Sequence, residues 1–278
     1  MLLVIFNVTI FKVIIRGGES NEVMKIIISP AKKMVENIEA LPVCGEPSFI
    51  EQSTLLLVYL KSLSYKEAKE LWNCNDQIAT LNYERVSNMD LKTNLTPAIL
   101  SYQGIQYQYM APEVLEKDQL DYIQEHLYIL SGFYGILKPL DGVTAYRLEM
   151  QSKVKLSEKK DLYDFWGSLL YDKLSKETNL ILNLASKEYS KCIERYLTED
   201  VKLVTCVFGE RKGDKVIEKG TYAKMARGEM VRYMAEHKIT TIEEVTKFDR
   251  LDFSYDENLS DESKLVFVKG DSYVRSRK

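Results

Sequence analysis

Apolar positions along this chain recur with two periods, and the changes of period outline its elements. The β-branched run from Lys25 to Ile28, closed by Ser29-Pro30, predicts a short buried strand ending in a loop. Leu56, Tyr59, Leu60 and Leu63 return at helical spacing, which predicts a helix over 52–72. A second helix is predicted over 75–87, with Asn75 or Asp76 as its cap. A third starts near Thr96-Pro97, a capping residue with proline in the first turn, and ends around Gly104. Leu120, Ile123, Leu127 and Leu130 form one stripe, so a helix is expected over 117–130, stopped by Gly132. Farther on, strands are expected over 179–186, 201–208 and 264–270, with a weaker one near Lys215 to Glu218. Helices are expected over 162–176, 187–197 and from Thr221 to His237.

Strands and helices are mixed without strict alternation. The expected fold class is α/β (α+β mixed): a single domain with a central mixed sheet flanked by helices. The polar segment 149–161 reads as a surface loop or boundary. The leading run "MLLVIFNVTIFKVII" is about 14 apolar residues interrupted by Lys12, shorter than the roughly 20 that a spanning helix needs. It also lacks the basic start and small-residue cleavage site of a signal peptide. Residues 1–23 are therefore read as an upstream extension, 24–270 as the domain and 271–278 as a basic tail.

Composition changes this picture in two ways. The net charge of −3 removes any general electrostatic grip on nucleic acid, so such a grip must come from a local patch. One candidate is the basic strip from Gly209 to Arg232, followed by an acidic strip from Thr240 to Lys264. Cys44, Cys74, Cys192 and Cys206 are scattered, and His126 and His237 are far apart. No clustered ligand set for zinc results, and no metal or cofactor is expected.

Several stretches have the residue types for chemistry. "SPAKK" puts Lys32 and Lys33 just past a strand end, where α/β proteins tend to bind ligands. "LSGFYGILKPLD" places Gly132, Tyr134, Gly135 and Lys138 after a predicted helix. It reads either as a glycine cap and turn or as a hairpin whose free N–H groups hold one phosphate. "AYRLEM" offers Arg147 and Glu149, two apart and so on one side of a strand. "NLASKEY" sets Asn183, Ser186 and Glu188 at a strand-to-helix junction. On the helix from Thr221, Lys224, Arg227 and Gly228 share a face.

In their order and spacing, "IISPAKKM", "LSGFYGILKPLD", "YRLEM", "DLYDFWG", "NLASKEY" and "YAKMARG" resemble the YaaA family of bacterial peroxide-stress-resistance proteins, over about Met24 to Lys269. The resemblance implies a cytoplasmic protein linked to survival of hydrogen peroxide, with less free iron and less oxidative DNA damage. It implies DNA binding through a helix-hairpin-helix-like element and a basic cleft. By position, the element would be Ser131 to Lys138, and the cleft cations would be Lys32, Lys33, Arg147, Lys224 and Arg227. The expected partner is DNA, double-stranded, bent, mismatched or single-stranded, with no membrane and no obligate protein partner. The apolar leader, the "VRSRK" tail and the negative charge depart from the family pattern.

Two functions remain open on the sequence. One is a phosphate-backbone binder with weak base reading that limits iron-dependent damage to DNA. The other is an enzyme acting on a nucleotide or nucleobase-like small molecule in a cleft lined by Lys32, Arg147, Asn183 and Glu188, with Glu149 or Glu188 as general base.

Overall fold

A computed structural model describes residues 23–36, 41–213 and 215–270. The expected basic tail and all but Val23 of the expected extension lie outside the described residues. The eight-stranded sheet is built from β1 (Lys25–Ile28), β2 (Leu127–Ser131), β3 (Gly135–Leu137), β4 (Leu180–Leu184), β5 (Lys202–Lys212), β6 (Lys215–Ile217), β7 (Phe253–Tyr255) and β8 (Lys264–Lys269), in the order β7-β8-β5-β4-β1-β2-β3 with β6 on β5. The five inner strands are parallel and the outer pairings antiparallel. The central β1 is buried along its whole length, which is why it is a continuous isoleucine run rather than an alternating one.

The helices are α1 (Ile50–Ser62), α2 (Tyr65–Trp72), α3 (Asp76–Asn88), α4 (Ala98–Ser101), α5 (Ile105–Met110), α6 (Lys117–His126), α7 (Leu162–Trp166), α8 (Leu169–Ser175), α9 (Lys187–Glu194), α10 (Gly220–His237) and α11 (Ile242–Val245). The helix expected over 52–72 is two helices. Leu63 is extended, and Ser64 restarts the chain with a reciprocal cap in which its backbone N–H donates to Glu67 Oε2 at 2.8 Å. The third predicted helix shrinks to α4, because Thr96–Pro97 and Tyr102–Gln103 join short ladders with Gly142–Val143 and Lys33–Met34.

The largest correction concerns 117–138. The helix stops at His126, and Leu127 to Ser131 forms β2 in parallel register with Ile26 to Ile28. Residues Gly132 to Tyr134 then turn the chain into antiparallel β3. The Ser131–Lys138 segment is thus a β-hairpin, not two helices around a phosphate. Its N–H groups are already used: Ser131 Oγ accepts from Phe133 at 3.2 Å and Tyr134 at 2.8 Å. Gly132, Tyr134 and Gly135 are all buried. A Cβ at Gly132 would lie 2.4 Å from the Leu148 carbonyl oxygen, so the glycine serves close packing against the 144–150 loop. A helix–turn–helix pair does occur elsewhere, where Asn73 to Asn75 join α2 to α3. Asn73 is left-handed (φ 44°), and Asn75 Oδ1 accepts from the Ile78 N–H at 2.9 Å.

Candidate functional site

From β1 the chain moves to β2 on one side, then returns to β4 on the other side of β1. The carboxyl ends of β1 and β4 therefore flank the point where strand order reverses, the usual ligand crevice of such sheets. Ser29 follows β1 and Ser186 follows β4. Ser29 Oγ accepts the Ser186 N–H at 2.8 Å and donates to Ser186 Oγ at 3.1 Å. The Tyr107 hydroxyl donates to the Ser29 carbonyl at 3.0 Å, fixing α5 over the same edge.

Charged side chains gather beside this junction. Glu149 lies between two cations: its Oε1 accepts from Arg147 Nη2 at 3.0 Å, and its Oε2 is 2.6 Å from Lys32 Nζ. The Arg147 and Glu149 side chains are 12% and 14% exposed, whereas that of Lys32 is 64% exposed. Arg147 uses only part of its donor fork, because its buried Nε–H has no acceptor among the described residues. Half-buried Glu188 belongs to the same group. Burial and the nearby Glu149 charge push its carboxyl above the usual range, opposed by the Gln151 N–H at 3.3 Å and by the Lys32 charge. A carboxyl raised in this way beside an exposed lysine has the makings of a proton donor or acceptor next to an anion contact.

Buried hydroxyls position the loop that carries Arg147 and Glu149. Ser131 Oγ and Tyr146 Oη are 2.6 Å apart, and Tyr146 Oη is 2.8 Å from Tyr102 Oη. The Tyr146 ring also stacks on Phe133 at 5.1 Å. The "SGFY" hairpin is thus the support of the site rather than its surface.

The other sequence candidates divide. Ser186 joins the crevice. Asn183 is committed below it, donating to Thr205 Oγ1 at 3.1 Å and accepting from the Ala185 N–H at 2.9 Å. Lys33 is exposed on a recess of about 410 Å³ beside Tyr102 and Tyr107. Lys138 lies toward the opposite edge of the sheet, 5.9 Å over the Tyr128 ring, where its charge acts on Lys25 at the start of β1. Lys224 is exposed on α10, and half-buried Arg227 pairs with Glu218 at 3.1 Å. Gly228 faces α5, since a Cβ there would meet the Gln106 carbonyl oxygen at 2.0 Å. The expected basic cleft is therefore not a single surface that includes the hairpin.

Sequence reasoning missed the wall facing Lys32. A cleft of about 770 Å³ runs from Lys32 and Glu149 to Tyr59, Trp72, Lys153 and Lys155. Two lysines spaced i, i+2 and separated from "YRLEM" by Gln151-Ser152 were the available signal, hidden in a segment read as a polar surface loop or boundary. Among the described residues no three His, Cys, Asp or Glu side chains are grouped to hold a metal, and no helix is long and apolar enough to cross a membrane.

Comparison with known proteins places the chain in a family. The family described as Peroxide stress protein YaaA matches residues 24–259. A UPF0246 protein of Lachnoclostridium phytofermentans is 85% identical over 255 residues, covering 92% of this chain and all of the relative. UPF0246 proteins of Agathobacter rectalis and Desulfitobacterium hafniense are 53% and 56% identical over 246 residues, covering 88% of this chain and 99% and 98% of the relatives. With the family matched over most of its length, the chain belongs to the YaaA family of peroxide stress proteins.

Proposed function

We propose that this peroxide stress protein works in the cytoplasm as an enzyme on a nucleotide or nucleobase-like small molecule, bound at the strand-order reversal. The observation that carries this reading is the Lys32–Glu149–Arg147 chain beside Glu188, whose carboxyl is raised by burial. Lys32, the exposed member, takes the anionic part of the ligand. Arg147 holds Glu149 in place, and Glu149 orients Lys32. Glu188 moves a proton to or from the bound molecule. The test is a screen of nucleosides and nucleotides for turnover, read by product analysis across pH. Turnover lost in Glu188→Gln, with binding kept, supports the reading. Turnover equal in Glu188→Gln and Lys32→Met to that of wild type rejects it.

A second reading has its own support. The α2–turn–α3 pair borders the same cleft through Trp72 and Asn73, and Lys32, Lys153 and Lys155 stand on that cleft. A helix-hairpin-helix-like docking of DNA backbone there, in duplex or single-stranded form, would shield DNA from iron-dependent oxidation. Gel-shift titration of wild type against Lys153→Glu/Lys155→Glu tests it; equal affinity rejects it.

A further inference from the structure

Four charged side chains meet at the strand-order reversal, and without a ligand they balance. Arg147 and Lys32 bring two positive charges, Glu149 and an ionised Glu188 two negative ones. Glu149 links the group, with Arg147 Nη2 at 3.0 Å from one oxygen and Lys32 Nζ at 2.6 Å from the other. Two residues farther along the same loop, the Gln151 N–H donates to Glu188 Oε1 at 3.3 Å, which ties the second carboxyl to the cluster. Only the Lys32 side chain is largely exposed. An anion from solution therefore settles on Lys32, and it adds negative charge to a group that was balanced.

One place in the cluster can restore the balance. Glu149 keeps Arg147 as a partner when Lys32 is taken. Glu188 makes no ion pair of its own among the described residues and depends on Lys32 for nearby positive charge. Its other neighbours do not change charge near neutral pH. Tyr163 of α7 donates its hydroxyl to the Glu188 carbonyl oxygen at 2.9 Å, and Tyr189 and Cys192 stand on the same helix as Glu188. Burial pushes Tyr163 and Cys192 up to about 12 and Tyr189 well above its ordinary range, so all three stay protonated. Beyond them, Arg195 and Asp161 act on Tyr163 in opposite senses.

We propose that an anion settling on Lys32 draws a proton onto Glu188, so that binding itself arms Glu188 as the general acid toward the bound molecule. The inference rests on the small-molecule reading above and fixes the direction of its proton step. The O–H bond of Glu188 breaks, an O–H or N–H bond forms on the ligand, and the carboxylate left behind regains the Lys32 charge when the anion departs. By linkage, the factor by which the anion raises the proton affinity of Glu188 is also the factor by which protonation raises the anion affinity. For one added charge at this range the factor is about tenfold, or about one pKa unit.

The test follows the Glu188 carboxyl by ¹³C resonance in the full chain, assigned with Glu188→Gln, from about pH 4 to 8. Sulfate serves as the anion, because its charge is constant over that range, against chloride at equal ionic strength. Sulfate is expected to raise the Glu188 midpoint by about one unit. In Lys32→Met the midpoint should start higher, and sulfate should no longer move it. Followed at the Gln151 amide near pH 7, sulfate should bind Glu188→Gln about tenfold more tightly than wild type; a variant that merely damaged the site would bind it less tightly. If sulfate binds through Lys32 while the Glu188 midpoint stays in place, the coupling is wrong and the small-molecule reading stands on its own turnover test. A midpoint that sulfate moves equally in wild type and Lys32→Met also overturns the coupling, since the anion then sits elsewhere. If no sulfate binds, Lys32 is not an anion contact and both fall.

Discussion

Glu149 holds Lys32 Nζ at 2.6 Å, yet the two side chains differ widely in exposure, at 14% and 64%. The carboxylate is a fixed part of the site, and the ammonium is its movable part. Lys32→Met should therefore cost under about 1 kcal/mol of stability, as for exposed ion pairs generally. Glu149→Gln leaves the largely buried Arg147 guanidinium without its counter-charge and should cost about 2–3 kcal/mol. Urea unfolding of the two variants checks the order; equal losses would show that Arg147 does not depend on Glu149.

Gly228 and Gly220 lie on the same helix and should respond oppositely to alanine. A Cβ at Gly228 meets the Gln106 carbonyl oxygen and the Met110 backbone nitrogen, at 2.0 and 3.1 Å, and backbone atoms give way poorly. Gly228→Ala should cost about 3 kcal/mol by pushing α10 off α5. Gly220→Ala meets nothing within 4 Å and should be neutral or stabilising by up to about 1 kcal/mol. Thermal melts of both variants decide it.

The same glycine logic shows how far the sequence could be read. Lys25–Ile28 was legible as a buried strand because three consecutive isoleucines before Ser-Pro fit little else. Leu127–Ser131 was not, because Leu127 and Leu130 continue the stripe of α6, and only pairing with β1 makes them a strand. Of the two readings of "SGFYG", the turn holds and the phosphate hairpin does not: the close approach at Gly132 is to the Leu148 carbonyl. Lys32, Ser186 and Glu188 could be singled out because polar residues just past strand ends are placed by the sheet itself, whereas Arg147 and Glu149 lie on the 144–150 loop and not on the strand expected there. Trp72, Lys153 and Lys155 were not, since they face Lys32 only through packing of α1 and α2 against a loop far along the chain.

Asp141 gives a pH signature of stability. Burial raises its carboxyl to about 6 from 3.8, despite the Lys138 N–H that donates to its Oδ2 at 2.8 Å. The folded chain thus binds this proton more tightly than the unfolded chain. The resulting stabilisation is complete below pH 3.8 and is lost as pH rises through about 6. Asp141→Asn keeps an acceptor for the Lys138 N–H and removes the charge. Relative to wild type it should gain on the order of 2 kcal/mol at pH 7 and lose that advantage toward pH 4. A difference between the two proteins that stays flat from pH 4 to 7 in urea unfolding would contradict the assignment.

Salt dependence separates docking of DNA on the cleft from docking on the wider cation set suggested by the sequence. If Lys32, Lys33, Arg147, Lys224 and Arg227 all touched phosphates, the log–log slope of affinity against salt would be about −4 to −5. Arg147 and Arg227, however, are largely buried and paired with Glu149 and Glu218. The cleft exposes three cations to a backbone, Lys153, Lys155 and Lys32, the last paired with Glu149 but 64% exposed. Its expected slope is close to −3 on duplex and shallower on single strands. Lys153→Glu/Lys155→Glu should bring the duplex slope to about −1, while Lys224→Glu leaves it unchanged, because Lys224 stands on α10 outside the cleft. A slope that stays near −3 in the lysine-loop variant and falls with Lys224→Glu would move the DNA surface from the cleft to α10.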